Sequence, residues 1–273
     1  MSKEAGCLYD GYSRRIHYLR LSVIDRCNLR CRYCRPEDGV ELCRAKPILT
    51  FEEILEFVRV AVRLGIDRVR VTGGEPLFRK DVVKLVAMLA GVAGIRDLAM
   101  TTNGTLLSRF ARPLKDAGLH RINVSLDSVD PERYQEITRL GRVEDVLAGI
   151  AAAREAGLSP VKLNCVIRQS PDEPDAVGVA AYARQEGLEV RFIREMDLAT
   201  GRFWQVVGGD GGHCAACSRL RLTCQGELFP CLFSDLKYDI RELGNEEAIR
   251  RAVAGKPESG RTARNHSFDS MGG

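Results

Sequence analysis

Short apolar runs alternate with longer amphipathic segments through the first 195 residues of the chain. The runs are rich in Val, Ile and Leu and predict strands, whereas the segments between them place apolar residues at helical spacing. One helix has a clear start, because Thr50 and Glu53 form a capping box, and Gly65 is placed to end it. The predicted strands span residues 17–24, 68–71, 98–102, 120–126, 161–167 and 188–193, and the predicted helices span 51–64, 80–89, 106–117, 131–138, 143–156 and 175–186.

Six strand–helix units in succession favour a parallel sheet with right-handed crossovers. A closed eight-stranded barrel takes about 250 residues, but these six units end near residue 195. We therefore expect an α/β fold, an incomplete (β/α)6 TIM-like barrel with active residues at the carboxyl ends of its strands. The predicted organisation is an N-terminal arm (1–16), a partial barrel (17–196), a glycine-rich flexible connector (197–213) and a C-terminal segment (214–273) with a Gly272-Gly273 tail.

Composition narrows the class of protein only modestly. The net charge of +4 does not indicate a nucleic-acid-binding role. Neither a signal peptide nor a membrane-spanning run is visible, and ten cysteines without a secretion signal favour metal ligation over disulfides. We expect a cytoplasmic protein. Cys7, Cys43 and Cys224 have no role that the sequence reveals.

Cys27, Cys31 and Cys34 form a C-x3-C-x2-C motif among arginines, directly after the first predicted strand. A [4Fe–4S] cluster normally takes four thiolates, so three leave one iron open to bind a small molecule. Basic neighbours favour the thiolate form. The alternatives are a structural zinc site, which needs a fourth ligand that is absent nearby, or ordinary core cysteines.

Gly73, Gly74 and Glu75 follow the second predicted strand in a Gly-Gly-Glu-Pro turn. The two glycines allow close approach of the backbone to a ligand. Together with the cysteine motif, this turn resembles the radical S-adenosylmethionine (SAM) superfamily. Further stretches resemble its GTP 3′,8-cyclase family, which acts in molybdenum cofactor biosynthesis; they lie at 18–23, 49–54, 101–104, 121–128, 161–164, 191–193 and 217–223.

Cys214, Cys217 and Cys231 form a second group of three, spaced C-x2-C-x13-C. A zinc knuckle completed by Cys224 or His213 is the alternative reading. The resemblance implies instead a second [4Fe–4S] cluster whose open iron faces the substrate. The connector between Met196 and Cys214 is shorter than in the family.

The resemblance also implies the ligand-binding residues. Alternation on an extended segment already places Arg219 and Arg221 on one face, where two guanidinium groups can grip a triphosphate. The implied SAM-binding residues are Tyr33, Gly73, Gly74, Glu75, Ser125, Arg191 and Met196, and the implied GTP-binding residues are Arg20, Arg70, Thr101, Lys162, Arg219, Leu220 and Arg221.

The implied enzyme is a lyase. It would cleave SAM reductively, remove the 3′ hydrogen of GTP with a 5′-deoxyadenosyl radical and close C3′ onto C8 to give 3′,8-cyclo-7,8-dihydro-GTP. The implied partners are GTP, a reductant such as flavodoxin or ferredoxin, the downstream cyclic pyranopterin monophosphate synthase and, in a homodimer, a second copy of the chain. Two other functions remain open from the sequence: a radical SAM maturase of a peptide or another nucleotide, and a non-catalytic iron–sulfur redox protein.

Overall fold

The computed structural model describes residues 6–34, 46–265 and 268–271. Within these ranges every helix is too short or too polar to cross a bilayer. The Gly272-Gly273 tail, Cys43 and the first five residues of the predicted arm lie outside the described residues.

A nine-stranded sheet dominates the fold, and a two-stranded hairpin precedes it. The hairpin strands are β1 (Leu8–Tyr9) and β2 (Arg15–Ile16). Six parallel strands then follow in chain order and pair with their neighbours in that order. They are β3 (Tyr18–Ser22), β4 (Arg68–Thr72), β5 (Asp97–Thr102), β6 (Arg121–Ser125), β7 (Val161–Ile167) and β8 (Glu189–Arg194).

Helices connect these parallel strands, as the periodicity predicts. The Thr50 hydroxyl accepts from the Glu53 amide at 3.1 Å and the Glu53 carboxylate accepts from the Thr50 amide at 2.7 Å, so the capping box is present. Buried Leu, Val and Ile side chains of sheet and helices form one large core. The helices are α1 (Phe51–Arg63), α2 (Val82–Ala90), α3 (Leu107–Asp116), α4 (Pro131–Thr138), α5 (Val143–Glu155) and α6 (Pro174–Glu186).

The C-terminal segment continues the sheet. Strand β9 (Arg219–Leu222) pairs in parallel with β3, and β10 (Glu227–Phe229) and β11 (Tyr238–Asp239) add antiparallel strands beyond it. Strands β11 and β8 are the two outer strands of the described sheet, so the barrel is incomplete as expected. The remaining helices are α7 (Ile240–Leu243), α8 (Asn245–Ala254) and α9 (Phe268–Met271).

The connector of residues 197–213 follows a defined path, although its glycines suggested a flexible boundary. Val207 and Phe192 exchange two backbone hydrogen bonds of 3.0 Å, so the connector lies alongside β8. Gly212 has a φ of +76°, and a Cβ there would meet the Trp204 carbonyl oxygen at 2.0 Å. At this position glycine serves a tight turn. The predicted domain boundaries themselves remain predictions.

Leu222 tests whether the C-terminal segment is integral to the barrel. Its side chain is fully buried in the main core, so we expect Leu222→Ala to lower the free energy of unfolding by about 2–5 kcal/mol. Leu236→Ala, at a half-exposed position of the same segment, should change it by less than about 0.5 kcal/mol. Denaturant unfolding measures both. If both substitutions changed the free energy of unfolding by the same small amount, β9 would not contribute to the stability of the barrel core.

Candidate functional site

The first cysteine loop leaves the carboxyl end of β3 and is held by backbone hydrogen bonds. The amides of Arg30 and Arg32 donate to carbonyls at the end of α4, at 3.2 and 3.0 Å. Burial raises the pKa of the Cys31 thiol, and the negative charges of Asp127, Cys34 and Cys27 raise it further. The structure therefore brings the three predicted thiols together, and a bound cation is needed to stabilise them as thiolates.

The glycine turn after β4 packs against the start of this loop. The Gly74 amide donates to the Ile24 carbonyl at 2.7 Å. A Cβ on Gly74 would lie 2.3 Å from the Arg26 carbonyl oxygen, and Gly73 has a φ of +149°. Only glycine fits this contact, so the two glycines fix the distance between the turn and the cysteine loop.

Glu75 lies behind the turn, where its carboxylate is fully buried. It accepts hydrogen bonds from the amides of Leu77 and Asn103 at 2.9 and 2.7 Å and from the Thr102 hydroxyl at 2.7 Å. Burial raises its pKa to about 7, although these three donors oppose the change. With three donors already bound, Glu75 holds the turn against the end of β5, and its role in SAM binding stays a prediction.

Tyr33 is anchored at the other side of the cysteine loop. Its hydroxyl donates to Asp127 at 2.8 Å, and the Val166 amide donates to the second oxygen of the same carboxylate at 2.8 Å. Burial raises the pKa of Asp127 to about 6. The tyrosine ring is thereby fixed next to Cys31 and Cys34.

A cavity of about 190 Å³ opens at the carboxyl ends of the strands, next to the cysteine loop. Its wall includes Thr101 from β5 and Phe268 from the C-terminal helix α9. Helix α9 therefore packs beside the cavity at the carboxyl ends of the strands. The cavity wall includes all three cysteines of the first group and five of the seven predicted SAM-binding residues, Tyr33, Gly73, Gly74, Ser125 and Met196.

Inside the barrel, below this cavity, arginines from three neighbouring strands stand side by side. Arg20 lies opposite Arg70 on one side and Arg221 on the other. Arg20 and Arg70 are the central residues of five-residue strands. Like charges at directly opposed positions destabilise a sheet, so a bound anion would stabilise this arrangement.

These guanidinium groups are buried, and burial lowers their pKa values. It lowers the pKa of Arg20 well below its usual value, and the charges of Arg221, Arg70 and Arg219 lower it further. Burial and the neighbouring Arg219 lower the pKa of Arg221 to about 10. The Nε of Arg70 is buried without a hydrogen-bond partner in the described part of the chain. We call Arg20, Arg70, Arg219 and Arg221 the arginine cluster.

The other predicted ligand residues are placed less directly. Lys162 is paired with Glu189 on the neighbouring strand. Leu220 is buried in the core between sheet and helices, so only its backbone can contact a ligand in the barrel. Arg191 is outside the cavity wall, and its Nε is buried without a hydrogen-bond partner in the described residues. Thr101 joins the two regions, because it lines the cavity and accepts from Arg70 at 3.5 Å.

The second cysteine group lies at the amino end of β9, opposite the end of the barrel that carries the first group. The Cys217 amide donates to the Cys214 carbonyl at 3.1 Å, and Cys231 follows β10. Burial opposes ionisation of Cys217, but the charges of Lys256 and Arg219 outweigh it and lower the pKa to about 7. A lowered thiol pKa fits a metal ligand.

Neither cysteine group has the geometry of a single-ion site. No three His, Cys, Asp or Glu side chains among the described residues converge closely enough to hold one metal ion. Cys224 follows the opposite end of β9 from Cys217 and is buried, and its charge acts on Arg79. It is therefore far from completing a zinc site. Three thiols without a fourth ligand in the group fit an iron–sulfur cubane with one open iron better than a four-coordinate zinc site.

Sequence reasoning missed several residues of the site. Asn103 donates to Asn28 at 2.8 Å and lies 3.7 Å from the Cys27 sulfur. Asp127 anchors Tyr33. Both fall in stretches that resemble the family, 101–104 and 121–128, so a signal existed. Arg14 and Lys256, which contact the second group, lie in segments with no such signal.

Comparison with known proteins agrees with this geometry. The model of the Radical SAM superfamily matches residues 21–174. The GTP 3′,8-cyclase of Thermodesulfovibrio yellowstonii is 39% identical over 294 residues, covering 89% of this chain and 91% of the relative. That of Moorella thermoacetica is 39% identical over 307 residues, covering 95% of each chain. Both alignments are longer than this 273-residue chain, so the relatives carry residues that it lacks.

Solved structures show the same fold at low identity. Streptococcus suis SuiB bound to precursor peptide SuiA has a TM-score of 0.68 at 13% identity, over 89% of this chain; this chain spans 65% of that longer one. The enzyme anSMEcpe with bound AdoMet has a TM-score of 0.63 at 14% identity, covering 88% of this chain and 80% of that one.

The partial barrel, the first cysteine loop and the family match define a radical SAM protein. Within that superfamily, the chain belongs to the GTP 3′,8-cyclase family.

Glu75 gives the site a testable pH dependence. Its folded pKa of about 7 exceeds the ordinary 4.5, so its contribution to stability is complete below about pH 4.5 and is lost as pH rises toward 7, on the order of 3 kcal/mol in total. We expect Glu75→Gln to remove this decline. Denaturant midpoints between pH 5 and 7.5 measure it, with exposed Glu52→Gln as control. If the denaturant midpoint changed with pH equally in the wild type, Glu75→Gln and Glu52→Gln, the assignment to Glu75 would be contradicted.

Proposed function

We propose that this protein is a radical SAM GTP 3′,8-cyclase, a lyase of molybdenum cofactor biosynthesis that converts GTP to 3′,8-cyclo-7,8-dihydro-GTP. The observation that carries the proposal is the arginine cluster inside the barrel, between two three-cysteine groups at opposite ends. Four neighbouring guanidinium groups suit a triphosphate, which takes bidentate hydrogen bonds from arginine. A peptide offers separate carboxylates rather than the dense charge of a triphosphate.

Cys27, Cys31 and Cys34 would hold the first [4Fe–4S] cluster, and the cavity beside them would hold SAM. When bound and reduced, this pair supplies a 5′-deoxyadenosyl radical that removes the 3′ hydrogen of GTP. The chain's own part is to place the groups. The glycine turn offers backbone atoms at the cluster loop, and Asp127 fixes the ring of Tyr33 over the cavity. Ser125, Arg191 and Met196 complete the proposed SAM-binding set.

The arginine cluster would bind the triphosphate and fix the ribose relative to the cavity. Thr101 links the two, since it accepts from Arg70 and lines the cavity wall. Lys162 would exchange its exposed partner Glu189 for a phosphate. Holding the reacting atoms about 3–3.5 Å apart is the largest contribution that the protein makes. The buried walls also exclude water from the radical.

Cys214, Cys217 and Cys231 would hold a second [4Fe–4S] cluster, with its open iron toward the guanine base. The position of this group at the amino end of β9 supports the proposal, because Arg219 and Arg221 then extend from it into the barrel. The base would lie at one end and the reacting ribose toward the other.

The remaining partners follow from the chemistry. A low-potential protein such as flavodoxin or ferredoxin would deliver electrons, and a cyclic pyranopterin monophosphate synthase would consume the product. We place the enzyme in the cytoplasm, where GTP and such reductants occur. A homodimer is proposed from the family resemblance alone.

Product analysis tests the activity directly. Anaerobically reconstituted, dithionite-reduced enzyme should convert SAM and GTP to 5′-deoxyadenosine and a cyclised nucleotide with the mass of GTP, detected by mass spectrometry. GTP deuterated at C3′ should transfer its label to 5′-deoxyadenosine. Deoxyadenosine without cyclised nucleotide would remove the cyclase assignment and retain the radical SAM activity.

Arg219→Ala and Arg221→Ala test the triphosphate site. A charge-assisted hydrogen bond contributes about 1.5–3 kcal/mol, so each variant should weaken GTP binding by roughly tenfold or more. Cleavage of SAM without GTP should persist, since neither side chain lines the cavity. Arg68→Ala, at the exposed start of β4, is the matched control. Unchanged GTP affinity in both β9 variants, measured by equilibrium binding, would defeat the assignment.

A further inference from the structure

Lys256 places a buried ammonium group behind the second cysteine group. Its side chain comes from the turn after α8 and is 3% exposed. The ammonium donates to the carbonyl oxygens of Arg219 at 2.7 Å and Pro230 at 2.6 Å. Arg219 lies two residues after Cys217, and Pro230 directly precedes Cys231. One side chain therefore joins the two segments that carry these cysteines.

The charges around Lys256 are unusual for a buried cation. Its main charged neighbours are the thiols of Cys217 and Cys231 and the guanidinium of Arg14. The ammonium also lies close enough to Cys217 to lower the pKa of that thiol. Burying a charge is costly unless it is paired. The sulfurs of Cys217 and Cys231 act as negative partners of the buried ammonium.

Arg14 makes the corresponding contact with Cys214. Its guanidinium is buried against Asp10 at 2.6 Å and donates to the Cys214 carbonyl at 2.7 Å. It also donates to the carbonyls of Pro257 and Glu258 at 2.6 and 2.8 Å. The N-terminal hairpin and the turn that carries Lys256 are thus fixed together behind all three cysteines.

We propose that Lys256, supported by Arg14, is the positioning residue and the positive counter-charge of the second cysteine group. This inference rests on the proposed second cluster. The ammonium fixes the spacing between Cys217 and Cys231 and compensates the negative charge that an iron–sulfur cluster with thiolate ligands carries. Since reduction adds one more negative charge, a fixed cation beside the cluster favours the reduced form.

The experiment compares full-length, anaerobically reconstituted proteins. Lys256→Gln keeps a donor for the two carbonyls but removes the charge, and Lys256→Met removes both. Exposed Lys237, paired with Glu227 in the same segment, provides the control Lys237→Gln. Iron content per chain and a redox titration followed by electron paramagnetic resonance are measured for each protein, with the first cluster as internal reference.

We expect Lys256→Gln to bind about eight irons and to disfavour reduction of the second cluster by about tenfold, or about 59 mV for one electron, while the first cluster is unchanged. Lys256→Met should also lose iron from the second group. If Lys256→Met does not fold, the reduction potential of the second cluster in Lys256→Gln alone tests the proposal.

An unchanged potential in Lys256→Gln, or equal shifts of both clusters, would overturn the proposal. Wild-type protein with only about four irons would overturn it together with the second cluster. Failure to form cyclised nucleotide, with both potentials as expected, would contradict the proposed cyclase and leave the role of Lys256 standing.

Discussion

The parallel pairing of β9 with β3 is the contact on which the site depends. It sets Arg221 beside Arg20, and Arg20 is already beside Arg70. It also places one cysteine group at each end of the same barrel, because β3 leads into the first group and β9 leaves the second. Without this pairing the arginine cluster would be divided between two parts of the chain, and the second cysteine group would have no fixed position relative to the first.

The energetics of that pairing explain its composition. Leu220 and Leu222 point into the core, whereas Arg219 and Arg221 point into the barrel. The apolar face stabilises the strand, and the charged face is an electrostatic cost that an anion relieves. Stability and binding are therefore supplied by opposite faces of one four-residue strand, so substitutions on the two faces have separable effects.

The alternation of apolar runs predicted the parallel strands and the helices between them closely, and the capping box at Thr50 was correct in detail. Local patterns sufficed because each unit is formed by residues adjacent in the chain. The sequence did not predict that the C-terminal segment joins the sheet beside β3, since strand pairing over two hundred residues leaves no periodic signal. Arg14 and Lys256 were missed for the same reason: their partners are backbone carbonyls, which carry no sequence identity.

The connector that exchanges hydrogen bonds with Phe192 has a consequence beyond the catalytic site. An open barrel ends in a strand whose amides and carbonyls are exposed for pairing, and such strands recruit other chains into aggregates. By lying along β8, Val207 and its neighbours occupy part of that surface. The connector thereby keeps a barrier to edge-to-edge aggregation, and this barrier depends on backbone contacts rather than on charged side chains.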